Sequence, residues 1–216
     1  MYANKNRERT SAGAQSTEVL LTALREVEPG LHKHLCGVAD LAIAVADHLG
    51  VEAEERDEIC RAAELHDVGK MAIPDAILAK PGPLDPAEWE FMRTHTLIGE
   101  RIIAAAPALV PIARLVRSSH ERWDGGGYPD ELAGEAIPLG SRIVFACDAF
   151  DAMVSERPYS VAMRPVRALE EIDRGAGSQF DPTVAAALRA VVEWHSGDGG
   201  DRQLRAEVPG RPPEAV

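Results

Sequence analysis

The residues best suited to chemistry are His34, His66, Asp67, His95, His120 and Asp148. His34 and His95 lie on the apolar stripes of helical segments. His66-Asp67 ends a third such segment and runs straight into Val68-Gly69-Lys70. His120 ends another, and Asp148 sits among apolar neighbours in IVFACDAFDAM. Burying such groups is costly unless they pair or bind metal. One histidine on an apolar face is ordinarily a hydrogen-bonded core residue. Several inward His and Asp positions on separate helices, with an adjacent His-Asp pair among them, point instead to a shared ion. Imidazole mixed with carboxylate suits Fe, Mn or another divalent transition metal better than Ca. Asp67 could bridge two ions, and two ions roughly 3.5–4 Å apart can activate a water and stabilise the leaving oxygen of a phosphodiester. His32 falls outside its helix's stripe, His48 lies at the edge, and His195 opens a polar tail, so these three read as solvated.

Lys70 follows the His-Asp pair, with Gly69 permitting a turn, and could hold a phosphate oxygen as a point charge. Gly125-Gly126-Gly127 alone means little more than a flexible turn. Between His120-Glu121 and Tyr128-Pro129 it becomes a candidate lid or substrate wall, and Tyr128 could stack on a nucleobase.

The elements that must carry these residues read as helices. Alanine is frequent, and Val, Ile and Thr are not clustered in alternating runs, so the expectation is all-α, a single bundle of about seven to eight helices. A helix from Ser16 or Thr17 stops at Pro29-Gly30. Its apolar stripe serves as a packing face or as a homodimer seam. Further helices are predicted over about 32–49, 53–66, 86–105, 108–119, 141–154, 164–174 and 182–194, with a loop over 68–84. Asp85-Pro86-Ala87-Glu88 has the form of a capping box with proline at the first helical position. Residues 1–15 read as a disordered tail, 16–195 as the helical domain, and 196–216 as a second disordered tail.

With 216 residues the chain can bury the core of one domain. Its net charge of −12 argues against binding DNA or RNA polymers or an anionic membrane, both of which need basic patches. A small anionic substrate stays compatible, because bound divalent ions reverse the local sign. Cys36, Cys60 and Cys147 are odd in number and lack CxxC spacing, which fits reduced thiols in the cytoplasm. The first residues form no signal peptide, and no apolar stretch is long enough to span a bilayer.

Three segments carry a resemblance: His66-Asp67-Val68-Gly69-Lys70, His120-Glu121-Arg122-Trp123-Asp124-Gly125-Gly126-Gly127-Tyr128-Pro129 and Asp148-Ala149-Phe150-Asp151-Ala152-Met153. Arg157-Pro158-Tyr159 and Gly175 to Pro182 add to it. Over about residues 17–192 the chain resembles the HD-GYP branch of the HD-domain metal phosphohydrolases. The resemblance implies an all-α bundle with a two- or three-metal centre, often iron or manganese. It implies hydrolysis of the bacterial second messenger cyclic di-GMP to pGpG or GMP. It puts metal ligands at His34, His66, Asp67, His95, His120 and Asp148, makes Asp67 and Lys70 catalytic, gives Lys70 and Arg157 phosphate contacts, and puts Tyr128 on the nucleotide side.

Three departures from the family pattern follow. Ser119 stands where a histidine is usual, so the second metal should bind less firmly. Gly30 stands where trimetal members carry a glutamate, so two divalent transition metal ions are expected rather than three. Ser160 replaces a common basic residue and removes a phosphate contact. The family usually works downstream of a sensor or receiver partner. The alternatives are a module that binds cyclic di-GMP or a signalling partner without cutting, and a phosphohydrolase of another nucleotide.

Overall fold

Start and stop signals set the helix boundaries. Asp85 accepts hydrogen bonds from the Ala87 and Glu88 amides, both at 2.9 Å, and the Glu88 carboxylate accepts from the Asp85 amide at 2.8 Å. This reciprocal box, with Pro86 at the first position, opens its helix where the sequence predicts. A computed structural model describes residues 2–27, 31–155 and 162–197. Its helices are α1 (Tyr2–Val27), α2 (Leu31–His48), α3 (Ala53–Leu65), α4 (Asp75–Leu78), α5 (Pro86–Arg93), α6 (His95–Ala104), α7 (Val110–Arg117), α8 (Leu139–Val154), α9 (Pro165–Gly175) and α10 (Pro182–Gly197). Short 3₁₀ turns cover Val68–Ala72 and Gly134–Ala136. Among the described residues there are isolated β-bridges but no strand, so the fold is all-α.

Four details differ from the sequence reading. α1 begins at Tyr2 rather than near Ser16, so residues 2–15 continue a helix where a tail is predicted. Their polarity suggests a tail, but no proline precedes Pro29 and good helix formers dominate. The helix predicted over 86–105 breaks at Thr94. There the side-chain hydroxyl donates to the Phe91 carbonyl at 2.7 Å and the amide does so at 3.0 Å, tightening the turn. The loop predicted over 68–84 contains a 3₁₀ turn and α4, which with the Thr94 break lifts the number of helical segments above seven or eight. α10 runs to Gly197, past the expected domain end at 195. The rest of the predicted tail, 198–216, lies outside the described residues.

α2, α3 and α8 form the centre of the bundle. Leu35, Val38 and Val45 of α2 meet Ile59 and Ala63 of α3 and Ile143 and Cys147 of α8 in one buried cluster. Each fully buried Leu, Ile or Val there contributes about 1.5–3 kcal/mol relative to exposure. α10 packs on α2, α8 and α9, and α1 lies against α2 and α3. None of the three cysteines forms a disulfide, and burial pushes the Cys60 thiol up to about 12. Among the described residues no helix is long and apolar enough to cross a membrane.

Candidate metal centre

Every predicted ligand sits at or near the end of a helix or on its core face. His34 is in the first turn of α2, His66 caps the end of α3, and Asp67 leads into the 3₁₀ turn. His95 opens α6, His120 follows α7, and Asp148 lies mid-α8. Gly69 makes the junction possible. A Cβ there would lie 1.9 Å from the His95 carbonyl oxygen and 2.6 Å from the Gly99 amide nitrogen. Only glycine lets the 3₁₀ turn lie directly on α6, which carries Asp67 up to His95. The sequence suggests a tight turn at Gly69, whereas its role is this backbone contact.

The side chains converge. Asp148 Oδ1 is 3.0 Å from His34 Nε2 and 3.8 Å from His66 Nε2. Asp67 Oδ2 is 3.6 Å from His66 Nε2, and Asp67 Oδ1 is 3.6 Å from His95 Nε2. The ring centres of His95 and His120 are 4.9 Å apart. Two groups result, one of His34, His66 and Asp67, the other of Asp67, His95 and His120. Within each, ligand atoms lie within 4.8 Å of one another, and Asp67 belongs to both. Asp148 joins the first group through its contacts with His34 and His66.

Backbone carbonyls fix two of the imidazoles. His66 Nδ1 lies 2.8 Å from the Ala63 carbonyl oxygen, and His95 Nδ1 lies 2.8 Å from that of Met92. A carbonyl oxygen only accepts, so each Nδ1 carries the proton and each Nε2 turns a lone pair into the cluster. The Nε2 atoms of His66, His95 and His120 and the Oδ1 of Asp67 are buried with no hydrogen-bond partner. Buried polar atoms normally have partners. Four orphaned lone-pair donors facing one another fit divalent transition metal ions.

The electrostatics agree. Burial pushes His95 down, and burial with the His95 neighbour pushes His120 down to about 3, so both rings are neutral at pH 7 and could offer a lone pair to an ion. Burial alone would raise Asp67, but Lys70 and the surrounding histidines hold its carboxyl well below the usual range. Asp148 is likewise held ionised against its burial, chiefly by the hydrogen bond from His34. Burial disfavours charge on His34, but its bonds to Asp148 and Asp151 outweigh that and raise it to about 9.

Asp151 is the residue that sequence reasoning missed. His34 Nδ1 donates to its Oδ2 at 2.5 Å, and Ser155 Oγ donates to the same oxygen at 3.2 Å. A carboxylate on the far nitrogen of a ligating histidine orients the ring and raises its basicity. A Cβ on Gly37, one turn after His34, would come within 2.9 Å of Asp151 Oδ1, so the glycine leaves room for it. The available signal was position: Asp151 is three residues after Asp148 and shares its face of α8.

Lys70 Nζ donates to Asp67 Oδ2 at 2.6 Å. The Tyr128 ring stacks on His120, with centres 5.2 Å apart and planes 9° apart. One face of that ring is therefore already covered by a predicted ligand. Ser119 is buried and its hydroxyl donates to the Val116 carbonyl at 2.9 Å, turned back on its own helix. His48 is exposed, while the side chains of His32 and His195 lie outside the described residues. Arg157, Ser160 and Gly30 also lie outside the described residues.

The loop after His120 is anchored by a second overlooked residue. Buried Glu121 accepts hydrogen bonds from the Asp130 amide at 2.7 Å and the Leu132 amide at 3.1 Å. Of the three glycines, Gly127 is required by its contacts. A Cβ there would lie 2.3 Å from the Arg122 amide nitrogen and 2.5 Å from the Glu121 Cα.

A helical bundle with an aspartate shared between two histidine groups is an HD-domain architecture. The chain belongs to the HD-domain family, whose model matches residues 18–184. Over 171 residues it is 42% identical to a cyclic di-GMP phosphodiesterase of Thermotoga maritima, covering 78% of this chain and 46% of the relative. Over 194 residues it is 41% identical to the cyclic di-GMP phosphodiesterase response regulator RpfG of Xanthomonas campestris pv. campestris, covering 88% and 51%. The chain spans about half the length of these curated relatives. Among solved structures it resembles a cyclic GMP-AMP-specific phosphodiesterase of Vibrio cholerae, with a TM-score of 0.63 at 22% identity over 84% of this chain and 48% of that one. It also resembles the HD domain of the Listeria monocytogenes phosphodiesterase PgpH in complex with cyclic-di-AMP, with a TM-score of 0.58 at 16% identity over 82% and 96%. At these identities the structural likeness carries the fold alone.

Proposed function

We propose that this protein is a cytoplasmic bacterial phosphodiesterase of the HD-GYP branch that hydrolyses cyclic di-GMP to pGpG, GMP or both. The observation that carries the reading is the set of orphaned buried donors on His66, Asp67, His95 and His120, with Asp67 common to two groups. Two divalent ions, iron or manganese, held by His34, His66, Asp67 and Asp148 on one side and by Asp67, His95 and His120 on the other, supply water activation and charge neutralisation at a phosphodiester.

The chain's own residues do the rest. The Ala63 and Met92 carbonyls orient His66 and His95 so that each Nε2 faces the cluster. Lys70 holds Asp67 in its shared position and, one quarter exposed, offers its ammonium to a phosphate oxygen. Tyr128 braces His120 and walls the nucleotide side. Arg157 supplies a second phosphate contact. Ser119, turned toward Val116, leaves the second group with three protein ligands. Leu20 and Leu24 of the apolar stripe of α1 pack on the core, which makes that stripe chiefly a packing face and leaves Val19, alone among its described residues, exposed for a homodimer contact. An upstream sensor is the expected signalling partner.

A second reading takes 3'3'-cyclic GMP-AMP as substrate, because a Vibrio cholerae relative 35% identical over 179 residues is named as specific for it. The test is hydrolysis of cyclic di-GMP, 3'3'-cyclic GMP-AMP and cyclic di-AMP by anaerobically purified, Fe(II)- or Mn(II)-loaded protein, with products separated by chromatography. Preferential cleavage of cyclic di-GMP, abolished in a folded Asp67→Ala variant, is the expected result. Binding without cleavage would make the protein a cyclic di-GMP-binding module, and a preference for either other dinucleotide would reassign the substrate.

A further inference from the structure

Arg93 closes α5, two residues before His95. Its own carbonyl accepts the Thr96 hydroxyl at 3.2 Å, and the preceding Met92 carbonyl accepts His95 Nδ1 at 2.8 Å. The same turn of backbone therefore aims His95 inward and sets where the Arg93 side chain begins. The guanidinium carbon lies 5.4 Å from the centre of the Tyr128 ring. That ring stacks on His120 and meets His95 edge-on with centres 6.3 Å apart. Arg93 thus stands on the solvent side of the Asp67, His95 and His120 group.

No carboxylate among the described residues neutralises its charge. Arg117, Arg122, Arg142 and Arg189 are all paired with carboxylates. Among the described residues Arg93 has no carboxylate partner, and it is exposed. In a chain with a net charge of −12, an unneutralised cation held over an aromatic ring at the rim of the site is a place for an anion. A cyclic dinucleotide has two phosphodiesters, and the metal groups act on one at a time. The other needs a contact outside those groups. The planar fork of a guanidinium matches two phosphate oxygens, and Tyr128 keeps that plane oriented.

We infer that Arg93 binds the phosphate of the dinucleotide that is not being cleaved, with Tyr128 as its platform. This rests on the proposed cyclic dinucleotide substrate. Loss of a charge-assisted contact made equally in the bound and reacting states raises KM and leaves kcat nearly unchanged. For Arg93→Ala the expected change is a KM for cyclic di-GMP about tenfold higher, with kcat within about twofold. Arg93→Lys keeps charge but loses the fork and should recover part of the loss.

The experiment measures kcat and KM for cyclic di-GMP with Mn(II)-loaded wild type, Arg93→Ala and Arg93→Lys. It adds inhibition constants for pGpG and GpG, and melting curves to confirm folding. GpG keeps both guanines but has a single phosphodiester, whereas pGpG adds a second phosphate. Weaker pGpG inhibition in Arg93→Ala with GpG unchanged supports the inference. An equal loss for both would assign Arg93 to a base and overturn it. Unchanged KM and inhibition constants, with the wild type active, would overturn it and leave the phosphodiesterase reading standing. A wild type that leaves cyclic di-GMP intact would overturn that reading, and this inference with it.

Discussion

At Asp67 two demands meet in one carboxylate. Its Oδ2 accepts the Lys70 ammonium, and its buried Oδ1 has no hydrogen-bond partner while facing His95. Asp151 plays a quieter part from behind His34, where its carboxylate accepts the Nδ1 proton and turns Nε2 toward the cluster. Asp151→Asn keeps the shape and removes the charge. It should weaken metal binding about tenfold to a hundredfold. At neutral pH it should also lower the melting temperature of the metal-free protein, because the charge on the raised His34 loses one of its two carboxylate partners. Competition with a metal-binding dye reads the first quantity, and circular dichroism reads the second. Unchanged metal affinity would reduce Asp151 to a packing role.

At the scale of elements, the site depends on how closely the 3₁₀ turn approaches α6. Gly69→Ala would thrust a Cβ into backbone atoms that cannot swing aside. Its expected cost is about 3 kcal/mol or more of stability, read from denaturant midpoints, together with loss of bound metal. Glu121→Ala should release the Asp130 and Leu132 amides and loosen the loop that carries Tyr128. Each charge-assisted bond lost is worth about 1.5–3 kcal/mol. Proteolysis within 122–134 should accelerate, while metal content falls less than in Gly69→Ala.

The elements also show what a sequence can and cannot disclose. The capping box at Asp85 and the apolar stripe around Val38 and Val45 were legible because they are local and periodic. His34, His66, Asp67, His95, His120 and Asp148 could be singled out because each is a polar group in an apolar setting. The break at Thr94 was hidden, since threonine is common in helices and the competing hydroxyl bond to Phe91 is visible only in three dimensions. Glu121 and Asp151 were hidden because their partners are remote: backbone amides of a loop in one case, a histidine 117 residues away in the other. Residues 2–15 misled through composition, because polar residues that favour helix resemble a tail.

At the scale of the molecule, the two candidate metal groups draw on α2, α3, α6 and α8 and on the residue after α7, all meeting at one place. Metal that binds only the folded state should therefore stabilise the whole bundle. Metal in free excess at about a hundred times its dissociation constant adds about 2.7 kcal/mol. For a chain of this size that corresponds to a melting temperature roughly 5–10 °C higher. Calorimetry with and without a chelator checks this, and Asp67→Ala should remove most of the difference. The negative surface adds a second expectation. With a net charge of −12 the surface repels an anionic dinucleotide at long range, and salt screens that repulsion more than it screens close contacts to a cation in the site, so moderate ionic strength should lower KM with little change in kcat.

The most direct single measurement is a titration of Mn(II) into anaerobic, metal-free protein while cyclic di-GMP hydrolysis is followed. Activity should climb until two ions are bound per chain and then level off. Full metal occupancy with cyclic di-GMP left intact, or turnover undiminished in the metal-free protein, would contradict the account.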